Sequence, residues 1–483
     1  MAGRSIVGID IGTTKVAVVV IDPLKQKILR TVSQDTRSAV ALKDPALKEQ
    51  AVEKIEHTLK QCIHKAFNGL SCGVASLGIT GQMHGIIGID SGGRARTNCV
   101  TWQDARGLLR DEEGRSLLDE MKQRAGARPI APGYGIVTLY WWVKEKTARR
   151  FSRIVTIPDY FGMRITGRKT PAIDHTMAES LGCFDIFSGR FDTGYISALG
   201  IPEDFFPEVF APTTVSGTVK EKNPFGIPGG EGIPVALSIG DNQASYLGSV
   251  KEFSHTIVVN VGTASQVTYA RDEDSWRRGV PAHVDGYDVT LRPFVEGRAI
   301  VAGSSLAGGV SYRALRDFFA RAGKDLFGID PPEDFWDRMN SLALRADSDE
   351  RLTVVPLFSG KRSAPDARGR IEGISMKNFA PSNVIYGTLE GVVRILREMV
   401  APSVLTSADT VVGCGNGLRK NPALRKAASR VFENDIRIPL HEEEAAVGAA
   451  LNGAVAAGVY RSFTDAAGIV RYRESQRGEK YES

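Results

Sequence analysis

The stretch Ile6-Val7-Gly8-Ile9-Asp10-Ile11-Gly12-Thr13-Thr14 decides the fold. Ser5–Asp10 reads as a buried strand ending at a carboxylate, Gly12-Thr13-Thr14 turns the chain, and Val16–Ile21 reads as a second strand. That is a β-hairpin, not the strand–turn–helix unit of a dinucleotide fold. The pattern returns at Thr256-Ile257-Val258-Val259-Asn260-Val261-Gly262-Thr263, position 256 against position 6, an offset of 250. Each copy is an apolar strand, then Asp or Asn, one apolar residue, and Gly-Thr. A match this short arises by chance or from a duplicated α/β fold. The 483 residues are too many for one ordinary core, so two domains are expected.

Between these landmarks, Glu49–Phe67 has helical apolar spacing (Val52, Ile55, Leu59, Cys62, Ile63, Ala66). Val74–Thr80 is a strand running into Gly81-Gln82-Met83-His84-Gly85. Ile86–Asp90 is a strand closed by a Ser91-Gly92-Gly93 turn, and a charged helix is expected near Leu108–Ala125. Trp141-Trp142 reads as helix packing. After the loop Asn223–Gly232, strand Val235–Ile239 leads into Gly240-Asp241-Asn242-Gln243-Ala244. Val411–Gly417 reads as a strand and glycine loop ahead of a helix at Pro422–Phe432. Glu442–Ala457 is an Ala/Gly-rich helix suited to close packing, and the charged end from Tyr472 is expected to fray.

Composition narrows the class. Hydrophobic residues at 42% and charged residues at 24% describe a soluble globular chain. A net charge of +5 without a clustered patch gives no support to a nucleic-acid or membrane partner. Five scattered cysteines without a CxxC argue against a disulfide scaffold or structural zinc. No apolar run approaches the roughly 20 residues of a membrane helix, and the start shows no secretory pattern. A cytoplasmic location is the expectation.

Glycine loops after strands let backbone N–H groups approach phosphate oxygens, and threonine adds a hydroxyl donor. Asp10 is a carboxylate suited to Mg²⁺. Gly413–Gly417 can lie flat against a base or ribose. The plainer alternative is that all three are tight turns closing buried strands. Neither GxxxxGK[ST] nor an early GxGxxG is present, so Walker and dinucleotide sites lack support. His84 has no second His or Cys at ligand spacing and is not read as a metal ligand. Lys361 and Arg362 read as a solvated or interdomain charge pair, with phosphate contact the alternative, and Cys414 as a tolerated small residue.

Taken together, Ile6–Thr14, Gly240–Ala244, Asn260–Thr263 and Gly413–Asn416 resemble the FGGY carbohydrate kinases of the sugar kinase/actin/heat-shock ATPase fold, over roughly Ile6 to Ala457. Gly81-Gln82-Met83-His84-Gly85 is shared by xylulokinases and sedoheptulokinases, and Val100-Thr101-Trp102-Gln103-Asp104-Ala105-Arg106 looks more like the latter. The resemblance implies two actin-like (ribonuclease H-like) α/β domains with a central cleft, residues 1–245 binding sugar and 246–483 binding nucleotide. It implies ATP-dependent phosphorylation of a ketose with Mg²⁺, most like sedoheptulose and next D-xylulose. A non-catalytic sugar-responsive member of the fold is the competing class. A homodimer is an expectation from resemblance alone.

Carried over by position, Asp241 would be the catalytic base, against the alternative of a helix N-cap. Asp10 would serve Mg²⁺. Thr13, Thr14, Gly262 and Thr263 would meet the phosphates, and Gly309, Gly413, Gly415 and Asn416 the adenosine. Gln82, Met83, His84, Trp102, Asp104 and Asn242 would form the sugar site, with Trp102 stacking and Asp104 accepting hydroxyls; a buried core Trp is the alternative for Trp102. The sequence departs from the family at Gly360-Lys361-Arg362-Ser363-Ala364-Pro365, at Gly413-Cys414-Gly415, and at Asp241-Asn242-Gln243, which leaves the sugar's identity open and the reaction type intact.

Overall fold

The structure is a computed structural model that describes residues 3–272, 283–284, 287–346, 351–361, 364 and 366–473. Arg362, Ser363, Pro365 and the charged end from 474 lie outside the described residues. The chain forms two compact units. One comprises Met1–Lys251, Arg292–Gly297 and Glu443–Ile469, the other Glu252–Leu291, Arg298–Glu442 and Val470–Ser483. The sequence suggests a single boundary at 245/246. The units instead interleave, because the helix Glu444–Ala456 packs on the strands Arg4–Ile11 and Gly73–Gly81 of the first unit.

In the first unit the β-branched run of Arg4–Ile11 pairs antiparallel with Lys15–Asp22, as the hairpin reading requires, and parallel with Gly73–Gly81. The seven-stranded sheet runs Val215–Thr218, Pro234–Ala236, Gly73–Gly81, Arg4–Ile11, Lys15–Asp22, Lys27–Asp35, with Ile239–Gly240 also on Gly73–Gly81. On one face, Val7, Ile9, Val16, Val18 and Val20 bury against Ile55, Leu59 and Ile63 of the helix Val52–Phe67. The other face receives Glu444–Ala456. A Cβ on Gly8 or Gly78 would fall on carbonyl oxygens of that helix, so glycine in both strands is what admits it.

The second unit repeats the connectivity. Thr256–Val261 pairs antiparallel with Ser265–Arg271 and parallel with Thr410–Cys414. Ala299–Ser305 joins Ser265–Arg271 on its far side, as Lys27–Asp35 joins Lys15–Asp22. Ile9 opposes Val18 and Ile79, and Val259 opposes Val267 and Gly413. Duplication, open on the short match alone, is therefore present in the ladders. Asn260 occupies the place of Asp10.

Several elements differ from the sequence reading. Glu49–Gln50 is a short strand on Cys99–Val100, and the helix begins at Val52. The charged helix splits. Arg106–Leu108 is one 3₁₀ turn, Gly114 turns the chain at φ +78°, and Ser116 starts Leu117–Ala125 with a capping box to Asp119. Strand Val235–Ile239 divides into Pro234–Ala236 and Ile239–Gly240. Gly413 is still strand, and a helix starts at Gly415 where a loop was expected.

Candidate active site

Two parallel strands and a short helix place the carboxylates. Asp10 is the penultimate residue of Arg4–Ile11, opposite Thr80. Ile239 and Gly240 pair with Thr80 and Gly81, and Asp241 then opens the helix Asp241–Leu247. Both carboxylates thus stand at the same end of two parallel strands that flank Gly73–Gly81. Burial raises Asp10 to about 7, with Asp241 and Glu443 raising it further and Lys15 opposing. Burial raises Asp241 to about 6, opposed by Arg292 and by the Asn242 amide. Asp10 Oδ1 is buried without a hydrogen-bond partner. Lys15 Nζ lies 2.6 and 2.7 Å from the two Glu443 oxygens, so the hairpin is tied to the residue preceding Glu444–Ala456.

The hairpin tip sits in a polar network. Trp102 Nε1 donates to Thr13 Oγ1 at 2.9 Å, Thr13 Oγ1 to Gln82 Oε1 at 3.3 Å, and Gln82 Nε2 to Gln50 Oε1 at 2.6 Å. Trp102 is 45% exposed, which rules out the buried-core alternative. Thr14 is exposed, and its carbonyl accepts from Thr36 N–H at 2.8 Å. Thr13 and Thr14 also line a cavity of about 600 Å³ with Arg37, Lys48, Gln50 and Gln103.

Met83 is buried, with Arg292 Nη1 at 3.5 Å from its sulfur. His84 adopts φ +71°. Its Nδ1 donates to the Ser180 carbonyl at 2.8 Å, which fixes the tautomer, and its ring stacks on Tyr134 at 4.3 Å. Asn242 is half-buried in the first turn after Asp241.

Asp104 has a different job from the expected one. Its Oδ1 accepts from Arg106 N at 2.9 Å and Arg106 Nε at 2.7 Å. Its Oδ2 accepts from Lys48 N at 2.7 Å and Arg106 Nη2 at 3.0 Å. Four donors occupy a carboxylate that is 1% exposed. Asp104 therefore anchors the Trp102 loop and has no accessible oxygen to offer a hydroxyl.

In the second unit, Gly262 and Thr263 form the tip of the other hairpin. Gly309 N–H donates to the Gly262 carbonyl at 2.8 Å, and Val310 N–H to the Thr263 carbonyl at 3.0 Å. A Cβ on Gly309 would stand 2.7 Å from the Gly262 oxygen. Gly415, at φ +80°, lies against Asn260 and Val261, where a Cβ would sit 2.6 Å from the Val261 oxygen. Gly262, Thr263, Gly309 and Gly415 are thus gathered on one strand end, with Asn416 exposed beside them. Gly413 is not among them. It is buried, facing Ile436, Ile438 and Leu418, as a core position of its strand.

Comparison with known proteins identifies what this geometry belongs to. Residues 5–248 match the N-terminal domain, and residues 257–457 the C-terminal domain, of the FGGY family of carbohydrate kinases. The chain belongs to that family. FGGY kinases transfer phosphate from ATP to a sugar hydroxyl, so the chain is an ATP-dependent sugar kinase. It is 26% identical to a human sedoheptulokinase over 481 residues, spanning 93% of this chain and 98% of that one. It is 25% identical to a xylulose kinase of Streptomyces rubiginosus over 501 residues, spanning 97% and 92%. Among solved structures, a gluconate kinase from Lactobacillus acidophilus superposes with a TM-score of 0.78 at 21% identity, covering 98% and 93%, a likeness of fold.

Several residues around the FGGY site carried no signal in the sequence. Arg292 reaches Asp241 from more than 50 positions away, and Glu443 pairs with Lys15 across the whole unit. Gln50 is tied to Gln82 and Ser38 by hydrogen bonds between distant segments. Only Arg106, two positions after Asp104, was within local reach as a charge partner.

Proposed function

We infer that this chain transfers the γ-phosphoryl group of ATP to a terminal hydroxyl of a ketose, with sedoheptulose first and D-xylulose second. The observation that carries the reading is the Asp10–Asp241 pair, electrostatically coupled at the ends of the two strands that flank Gly73–Gly81, with Asp241 raised to about 6. An ordinary Asp is a weaker base, so burial suits Asp241 to accept the acceptor's proton as the oxygen–phosphorus bond forms and the bond to ADP breaks.

Asp10 fits Mg²⁺. Its orphaned Oδ1 is a hard oxygen donor, and Mg²⁺ bound with substrate phosphates needs only one or two carboxylates, which accords with the absence of a three-ligand cluster among the described residues. When bound, the ion would neutralise charge on the phosphate oxygens. Thr13 and Thr14 in the first unit would offer hydroxyls and amides to phosphate, and Gly262 and Thr263 in the second unit would do the same; Gly309, Gly415 and Asn416 would flank the adenosine. Met83, His84, Trp102 and Asn242 would bind the sugar, with Gln82 holding the hairpin beside them.

Sedoheptulose is favoured by the Trp102-Gln103-Asp104 motif and by the name of the 26% identical human relative. Xylulose is kept by the Streptomyces relative. A cytoplasmic homodimer belongs to the same proposal. No disulfide joins the cysteines and no described helix is long and apolar enough to cross a membrane; the dimer rests on resemblance alone.

The test is ADP release with Mg-ATP and sedoheptulose, xylulose, ribulose, glycerol or gluconate. The expected result is the highest kcat/KM with sedoheptulose. A preference for another acceptor reassigns the sugar, and no stimulation by any sugar supports the non-catalytic class. Asp241→Ala is expected to lower kcat by at least about 100-fold with sugar binding retained; near-normal turnover removes Asp241 from its role.

A further inference from the structure

The peptide joining Ile239 to Gly240 is one planar group with one acceptor and one donor. Two buried threonines hold both ends. Thr80 Oγ1 donates to the Ile239 carbonyl at 2.6 Å, and Thr176 Oγ1 accepts from the Gly240 N–H at 2.9 Å. Thr176 Oγ1 in turn donates to Asp174 Oδ1 at 2.6 Å. Asp174 is fixed by its own cap, accepting the Met177 N–H at 3.0 Å as the residue ahead of the helix His175–Glu179. Thr80, Thr176 and Asp174 are all 0% exposed.

The held peptide immediately precedes Asp241. Gly240 is the N-cap of Asp241–Leu247 and brings no side chain to orient the first turn. A Cβ there would stand 2.5 Å from Gln243 Oε1 and 2.9 Å from Met83 Sδ, so a side chain would have to displace the ends of both. The direction in which Asp241 leaves the backbone therefore depends on the plane of the peptide before it. Beside its pairing on Gly73–Gly81, that plane is held by the hydroxyls of Thr80 and Thr176.

We propose that Thr176, oriented by Asp174, is a positioning residue for phosphoryl transfer, locking the Ile239–Gly240 peptide plane and so aiming the Asp241 carboxylate. This rests on the reading of Asp241 as the base. Misplacing a reacting group by about 1 Å costs on the order of 100-fold in rate, so a hydroxyl that touches no substrate can govern kcat.

The test is steady-state kinetics and thermal denaturation of Thr176→Val, Thr176→Ser, Asp241→Ala and the Asp241→Ala/Thr176→Val double variant. Thr176→Val keeps the shape and removes both hydroxyl bonds. It is expected to lower kcat by at least about tenfold with both KM values within about threefold, and Thr176→Ser to restore kcat to within about threefold of the unmodified protein. Because Thr176 acts through Asp241, adding Thr176→Val to Asp241→Ala is expected to change the residual rate less than about twofold.

A Thr176→Val kcat within about threefold of normal, or a further loss of about tenfold in the double variant, overturns the proposal. Near-normal turnover in Asp241→Ala defeats the base assignment instead, whatever Thr176 does. If Thr176→Val does not fold, Thr80→Val removes the bond at the other end of the same peptide. It must then show the same kcat loss and the same non-additivity with Asp241→Ala, or the proposal fails.

Discussion

Gly248 and Gly448 place two helix backbones in direct contact. A Cβ on Gly448 would fall on the Ala244 carbonyl oxygen, and one on Gly248 on the Glu444 carbonyl oxygen. The helix that carries Asp241 is thus docked on Glu444–Ala456, whose other side lies on Gly8 and Gly78 of the sheet. Neither neighbour can yield, since both are main chain. Gly448→Val is expected to destabilise the protein by about 1–3 kcal/mol or more and to reduce kcat, because the base shifts with its helix. Thermal melting with kcat on the folded fraction checks this; an unchanged Tm would show that the helices have room.

Asp104 and Arg106 form a pair whose guanidinium is 1% exposed, with Glu49 Oε1 at 2.9 Å and the Trp141 ring centroid at 4.7 Å. Removing one partner strands the other in the interior. Arg106→Met is expected to cost about 3–5 kcal/mol, and Arg106→Met with Asp104→Asn to cost less than Arg106→Met alone. Urea denaturation of both variants measures it. A direct sugar role for Asp104 would instead show as a raised sugar KM in Asp104→Asn at unchanged stability.

Asp241 must be unprotonated to accept a proton. Burial holds it at about 6, so kcat/KM is expected to fall as pH drops through about 6, well above an ordinary carboxylate. Arg292 is the charge that opposes burial. Arg292→Met removes that opposition, and the acidic limb is expected to move to higher pH. A pH–rate profile of both proteins decides; a limb that stays in place removes Arg292 from the electrostatics of the base.

What was legible in the sequence was local. The apolar run closed by Gly-Thr marks the first hairpin and its echo at Thr256–Thr263 marks the leading strand of the second, since a strand buried on both faces reads as a near-continuous apolar run. The helix Pro422–Phe432 keeps the bounds its sequence suggests, and the structure adds Asn421 as its cap. Gly413 and Gly415 looked alike in sequence. One faces the core and the other sits at φ +80° against Val261, a distinction set by strand register rather than residue type. Asp104 reads as a hydroxyl acceptor in sequence because a carboxylate beside Trp102 suits a sugar and an ion pair with Arg106 equally well, and only the fold closes Arg106 onto it. The Thr176–Gly240 bond spans 64 positions and leaves no periodic trace.

Asp174 also links the site's framework to pH. It is buried with Oδ2 lacking a hydrogen-bond partner, and burial raises it to about 7, while neighbouring Asp159 is raised to about 6. Unfolded, both return to about 3.9. The folded protein therefore binds more protons between about pH 4 and 7, and the free energy of unfolding falls as pH rises through that window. Asp174→Asn is neutral at every pH and keeps an oxygen for Thr176 and Met177. It is expected to flatten the slope by about 2–4 kcal/mol between pH 4.5 and 8, to exceed the unmodified protein in stability at pH 8, and to leave kcat within about threefold. Urea midpoints at pH 4.5, 6 and 8 measure it. An unchanged slope would mean that Asp174 titrates alike in both states.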